Sequence, residues 1–110
     1  MTAALDEVWT AVGDPNRRRM LDLLLDTGES TPTKLASQLP LTRQAVSKHL
    51  AVLERAGLVS SAPQGRQMTY CIRAEEFDQA TRSIAAVAAR WDRRLRRIKD
   101  IAEAIENAPQ

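Results

Sequence analysis

The sequence predicts a mainly α-helical chain with one small β-hairpin, in the order α-α-α-α-β-β-α. Three observations carry this expectation. Apolar residues recur at helical spacing in five stretches. Two of those stretches open on a cap-then-proline pair, Asp14-Pro15 and Thr31-Pro32. After Gly57 the spacing gives way to two short runs of strand-forming residues around a glycine turn, before helical spacing resumes at Glu75. One hundred and ten residues fit a single domain, 1–110, with one core.

The first helix is expected over residues 3–12, with Leu5, Val8, Trp9 and Val12 on one face and Gly13 as its stop. Asp14 then caps a second helix that closes at Gly28. Its buried side is expected to be Met20, Leu21, Leu24 and Leu25. The run Arg17, Arg18, Arg19 reads either as a solvated helix surface with one arginine paired to an aspartate, or as a phosphate contact. The third helix, 32–39, is short and turns Leu35, Ala36 and Leu39 inward. Pro40-Leu41-Thr42 breaks the chain, and Thr42 can accept a bond from a free first-turn N–H of the helix that follows.

That fourth helix is the stretch on which a functional reading turns. Val46, Leu50 and Leu53 recur at i, i+4 and i+7 and must face a core. Arg43, Gln44, Ser47, Lys48 and Arg55 fall largely off this stripe, and such side chains hydrogen-bond base edges and phosphates. Two short helices joined by about three residues, the second with a polar outward face, form a helix-turn-helix over 32–57. The runs 58–62 and 67–72 read as strands joined by a turn at Pro63-Gln64-Gly65-Arg66, which makes 58–72 a wing. Arginine at its tip, Arg66, suits the negative potential of a narrow minor groove. Charge is distributed to match: residues 30–73 carry net +5 and residues 1–29 net −3, while the whole chain is +2.

From Glu75 to about Asn107 one long helix is expected. Phe77, Ile84, Trp91, Ile98 and Ile105 repeat every seven residues, and Ala80, Val87 and Ile101 form a second series that Arg94 interrupts beside Leu95. About 30 residues span ~45 Å. The preceding residues cannot cover so long an apolar stripe, so a second subunit is expected to pack on it. The basic run Arg90, Arg93, Arg94, Arg96, Arg97, Lys99 is interleaved with Asp92, Asp100 and Glu103 and reads as a salt-bridged surface.

The chain resembles the arsenic-repressor-like (ArsR/SmtB) winged-helix regulators. The residues that carry the resemblance are Asp14-Pro15 with 17–21, then 34–36, 44–50, 53–59, Gly65-Arg66 and Tyr70. The resemblance implies a homodimer that binds operator DNA, usually as a repressor of its own and adjacent genes. It places DNA contacts on Arg43, Gln44, Ser47, Lys48 and, at the wing tip, Arg66. His49 is placed there too, either as a phosphate contact or as a residue packed beside Leu50. It also implies a dimer interface on the first and last helices, here with Leu5, Trp9, Ile84, Val87, Trp91 and Ile98. An unidentified effector, if one acts, is expected in the apolar groove between those helices near Trp9 and Trp91.

Other functions find little support in the residues. Many members of the family sense metals through cysteine pairs in the third helix or Asp/His/Glu sets in the last. Here one Cys, Cys71, and one His, His49, sit on different elements, so no metal site or cofactor is expected. Neither a nucleophile–base pair nor a phosphate-cradling glycine loop is present, and no enzyme is expected. No signal peptide or membrane span is visible, which makes a soluble cytoplasmic protein the default. The alternative reading is a protein-interaction module, with a winged helix that binds protein and a coiled coil.

Overall fold

The computed structural model describes residues 2–108, with side chains described from residue 5 onward. The elements are α1 (Thr2–Val12), α2 (Pro15–Thr27), β1 (Glu29–Ser30), α3 (Pro32–Gln38), α4 (Arg43–Arg55), β2 (Val59–Gln64), β3 (Gln67–Ile72) and α5 (Ala74–Glu106). The chain divides into two compact units, 1–80 and 81–110.

Capping chemistry sets the boundaries in the first unit. Asp14 accepts from the Asn16 and Arg17 amides at 2.8 and 3.2 Å, and Pro15 follows it at the head of α2. Thr31 accepts from the Lys34 amide at the start of α3, and Thr42 from the Ala45 amide at the start of α4. The far end of α4 closes on Gly57, whose φ of 80° lies in the left-handed region. The Leu58 amide donates to the Leu53 carbonyl and the Gly57 amide to the Glu54 carbonyl, both at 3.0 Å. This double closure satisfies carbonyls that a helix end leaves open, and it accompanies burial of Leu53 and Leu58.

The core of this unit is built from Met20, Leu24, Leu35, Val46, Leu50, Leu53, Leu58 and Val59, all essentially inaccessible. Val8 and Ala11 join them from α1. The buried face of α1 is therefore turned from the one expected: Trp9 is 40% exposed, Leu5 and Val12 are half-buried, and the small Ala11 is wholly covered. In α2 the buried stripe is Met20, Leu21 and Leu24. Leu25 lies roughly 90° around the helix from its centre and is 53% exposed, against expectation.

The sheet has three antiparallel strands in the order β1-β3-β2, one more than the hairpin expected. Glu29 and Ser30 pair with Cys71 and Tyr70. The two residues between the Gly28 cap and the Thr31 cap are left extended, and β3 takes them up. β2 runs on to Gln64, so Pro63 stands inside a strand opposite Met68 rather than in the turn. An edge strand tolerates a proline because half of its amides face outward.

The second unit is helical. α5 is unbroken to Glu106, and Trp91, Leu95, Ile98, Ile101 and Ile105 are each more than half exposed. The expected salt-bridged surface is not what the arginines form. Among the described residues the ion pair within this stretch is Lys99–Glu103 at 3.9 Å, while the Arg94 guanidinium stacks 5.4 Å from the Trp91 ring centre. Arg90 and Arg93 have no acidic residue three or four positions away on the helix. Among the described residues no helix is long and apolar enough to cross a membrane.

Two outcomes follow for stability. Gly57→Ala forces a side chain into the left-handed region and is expected to cost about 1–2 kcal/mol in urea denaturation. Desolvation works to raise the Asp14 carboxyl, but the two amide bonds and the Arg17 charge outweigh it and hold the group below its ordinary value. A folded-state value below the unfolded one lends stability that is complete above the unfolded value and lost as pH falls through the folded one. Between about pH 5 and pH 3, wild type is therefore expected to lose more stability than Asp14→Asn.

Candidate nucleic-acid interface

The polar face of α4 follows from the burial of its apolar one. With Val46, Leu50 and Leu53 fully buried, Arg43, Gln44, Ser47 and Lys48 are all exposed and line one open surface groove. They occupy an arc of roughly 140° at 3.6 residues per turn. No acidic side chain stands in the first turn of α4, and Arg43 stands there instead. The free amides and the helix dipole at that end add positive potential to the same groove.

The wing is joined to α4 by a polar strut. Ser61, on β2, donates to the Glu54 carboxylate at 2.7 Å. Across the ladder Ser61 faces Tyr70, whose phenol is raised above its ordinary value by burial and then by the Glu54 charge. The hairpin closes in two residues, Gly65 and Arg66, between the paired Gln64 and Gln67. Gly65 has φ of 63° and Arg66 does not need a positive φ, the pattern of a two-residue loop with glycine first. Arg66 is exposed at this tip.

The structure brings Arg43, Gln44, Ser47 and Lys48 together and sets His49 apart. His49 is half-buried, roughly 170° around α4 from the centre of the other four. Its Nδ1 lies 3.2 Å from Arg17 Nη1. The residues expected at a dimer interface are distributed over both units. Leu5, Ile84 and Val87 are half-buried, and Trp9, Trp91 and Ile98 are 40%, 55% and 62% exposed.

Sequence reasoning missed the work of the arginine run. Arg17 donates through Nε to the Ala11 carbonyl at 2.7 Å and through Nη2 to the Thr10 carbonyl at 2.9 Å. Arg18 donates to the Val12 carbonyl at 2.6 Å. Both therefore cap the end of α1. Arg19 turns to Asn16 Oδ1 at 3.1 Å. The available signal was position: arginines just beyond a helix end commonly reach its open carbonyls. The Glu54–Ser61 strut had no comparable signal.

Comparisons with known proteins agree with this geometry. Residues 12–62 match the family described as Helix-turn-helix domain. The HTH-type transcriptional regulator CmtR of Mycobacterium tuberculosis is 38% identical over 90 residues, covering 82% of this chain and 75% of that protein. The solved structure of an ArsR-like transcriptional regulator from Rhodococcus sp. RHA1 superposes with a TM-score of 0.67 at 38% identity, covering 92% of this chain and 94% of that one. A homodimeric winged helix-turn-helix DNA-binding domain from Mycobacterium bovis, described as a possible ArsR-family regulator, gives a TM-score of 0.67 at 25% identity over 80% of this chain and 81% of its own. With this fold, this exposed polar helix face and these relatives, the chain belongs to the ArsR family of winged helix-turn-helix DNA-binding transcriptional regulators.

Proposed function

We propose that the chain is a sequence-specific, dimeric repressor of its own and adjacent genes. It binds an inverted-repeat operator, with the 43–56 helix in the major groove and the 63–66 wing tip near the minor groove. The observation that carries this is the gathering of Arg43, Gln44, Ser47 and Lys48 on the exposed face of a helix whose other face is fully buried. Arg43 suits a guanine edge and Gln44 an adenine edge, each through two hydrogen bonds, while Ser47 and Lys48 serve base or phosphate. Placing Arg43 against the positive end of the helix is locally unfavourable and becomes favourable when a phosphate arrives.

Dimerisation through α1 and α5 supplies the two-fold symmetry that an inverted repeat demands. Support comes from the exposed apolar residues of α5 and from the homodimeric state of the M. bovis relative. In this reading Leu5, Trp9, Ile84, Val87, Trp91 and Ile98 line the interface, and 75–107 is the dimerisation helix.

The test is fluorescence anisotropy on a duplex selected from random sequence by the protein, beside a scrambled duplex, at two salt concentrations. The selected site is expected to bind ~10³-fold or more tightly than the scrambled one. Arg43→Ala and Gln44→Ala are each expected to lose the equivalent of about 1–3 kcal/mol of discrimination, with the dimer intact by sedimentation. Lys48→Ala, if it removes a phosphate contact, lowers the salt slope by about 1 and weakens both duplexes alike. Wild-type binding by both the Arg43 and Gln44 variants removes the assignment of the reading face. Absence of DNA binding at low salt redirects the function to protein interaction.

A further inference from the structure

We infer that Arg17 is a positioning residue for DNA reading, strapping the end of α1 to the reading helix through His49, and that His49 serves as the acceptor of this strap rather than as a DNA contact. The inference rests on the assignment of α4 as the reading helix.

One guanidinium makes three contacts that join three elements. From α2, Arg17 donates to two carbonyls in the last turn of α1, Thr10 and Ala11, and its remaining Nη1 meets Nδ1 of His49 on α4 at 3.2 Å. The carbonyls at a helix end carry the negative end of its dipole and are natural seats for a cation. A guanidinium has donors and no lone pair to offer, so Nδ1 must be the acceptor and the ring proton sits on Nε2. Arginine is suited to this because its rigid fork holds several donors in one plane. The Arg17 guanidinium is thus fixed by α1 before it reaches α4.

The position of His49 explains why the contact matters. Its ring leaves α4 on the side roughly opposite the Arg43, Gln44, Ser47, Lys48 groove, so it bears on the helix from behind. Val46, Leu50 and Leu53 resist translation of α4 into or out of the core, but an apolar face alone sets rotation and sliding less strictly than a directed hydrogen bond does. Base contacts tolerate little displacement, and a strap that fixes α4 against α1 therefore sharpens operator choice without touching DNA. It also ties the reading helix to α1, a helix assigned above to the dimer interface.

The test combines a double-mutant cycle with a conservative rescue. His49→Leu and Arg17→Leu are each expected to lower operator affinity on the order of tenfold, and the double variant no more than the worse single one, because both remove one interaction. His49→Asn keeps an acceptor near the Nδ1 position and is expected to stay within about threefold of wild type. Circular dichroism melts confirm that each variant compared is folded. Independently of DNA, ring-nitrogen NMR of the free protein at about pH 8, where an imidazole is ordinarily neutral, is expected to show the proton fixed on Nε2 in wild type and a tautomer mixture in Arg17→Leu. Additive losses in the double variant, a folded His49→Asn as damaged as His49→Leu, or a proton on Nδ1 in wild type each overturn the inference. If wild type shows no operator preference, the DNA-reading assignment fails and takes the operator consequence with it, while the ring-nitrogen spectrum still decides the strap.

Discussion

The burial of one side of α4 is the constraint on which the rest of the first unit depends. Val46, Leu50 and Leu53 have no accessible surface. Each such side chain contributes about 1.5–3 kcal/mol relative to exposure, so the three together are comparable with the whole net stability of a small domain. Once that face is committed, the orientation of Arg43, Gln44, Ser47 and Lys48 is no longer a free choice. Helical geometry turns them outward, and the proposed DNA contacts use the side that stability has already determined.

Polar contacts refine what burial leaves adjustable. Thr42 fixes where α4 begins, and the Gly57 closure fixes where it ends and hands the chain to β2. Glu54 reaches Ser61 and links the far half of α4 to the wing. These contacts sit at the ends and flanks of the helix, so each adds direction where the apolar face supplies only adhesion. The same division holds in α2, where Met20, Leu21 and Leu24 provide burial and Asp14 provides the start.

Much of this was legible in the residues because each signal is local. A cap followed by proline, an i, i+4, i+7 stripe and a glycine at a helix end act over a few positions and do not depend on distant chain. Thr42, Val46, Leu50, Leu53 and Gly57 stand as that logic requires. The gathering of Arg43, Gln44, Ser47 and Lys48 on one face follows from the same periodicity, and so does the separation of His49 from them. What escaped was set by tertiary neighbours. Glu29-Ser30 is too short to show a strand period and becomes a strand only because β3 offers it an edge. The α1 face is set by Ala11 as much as by larger residues, and hydrophobic patterning gives little weight to alanine. Arg17 and Arg18 look like a solvated charge run until the end of α1 is seen beside them. The second unit shows the limit of pairwise charge reading: alternating signs along α5 suggested ion pairs, yet Arg90 and Arg93 have no acid at the spacing that would form one.

The two-residue closure of the wing makes the hairpin a ruler rather than a flexible finger. With Gly65 and Arg66 forming the entire loop, the reach of the tip is counted in strand residues, six on each side. Each residue adds about 3.3 Å, so lengthening both strands by two would carry Arg66 outward by about 7 Å with every side chain kept on its own face. Lengthening both by one would advance the tip half as far and invert it, turning the arginine to the opposite side of the sheet. A wing closed this way that keeps its arginine on the same face can therefore be lengthened only in steps of two residues per strand, and the distance at which it can touch its target is quantised.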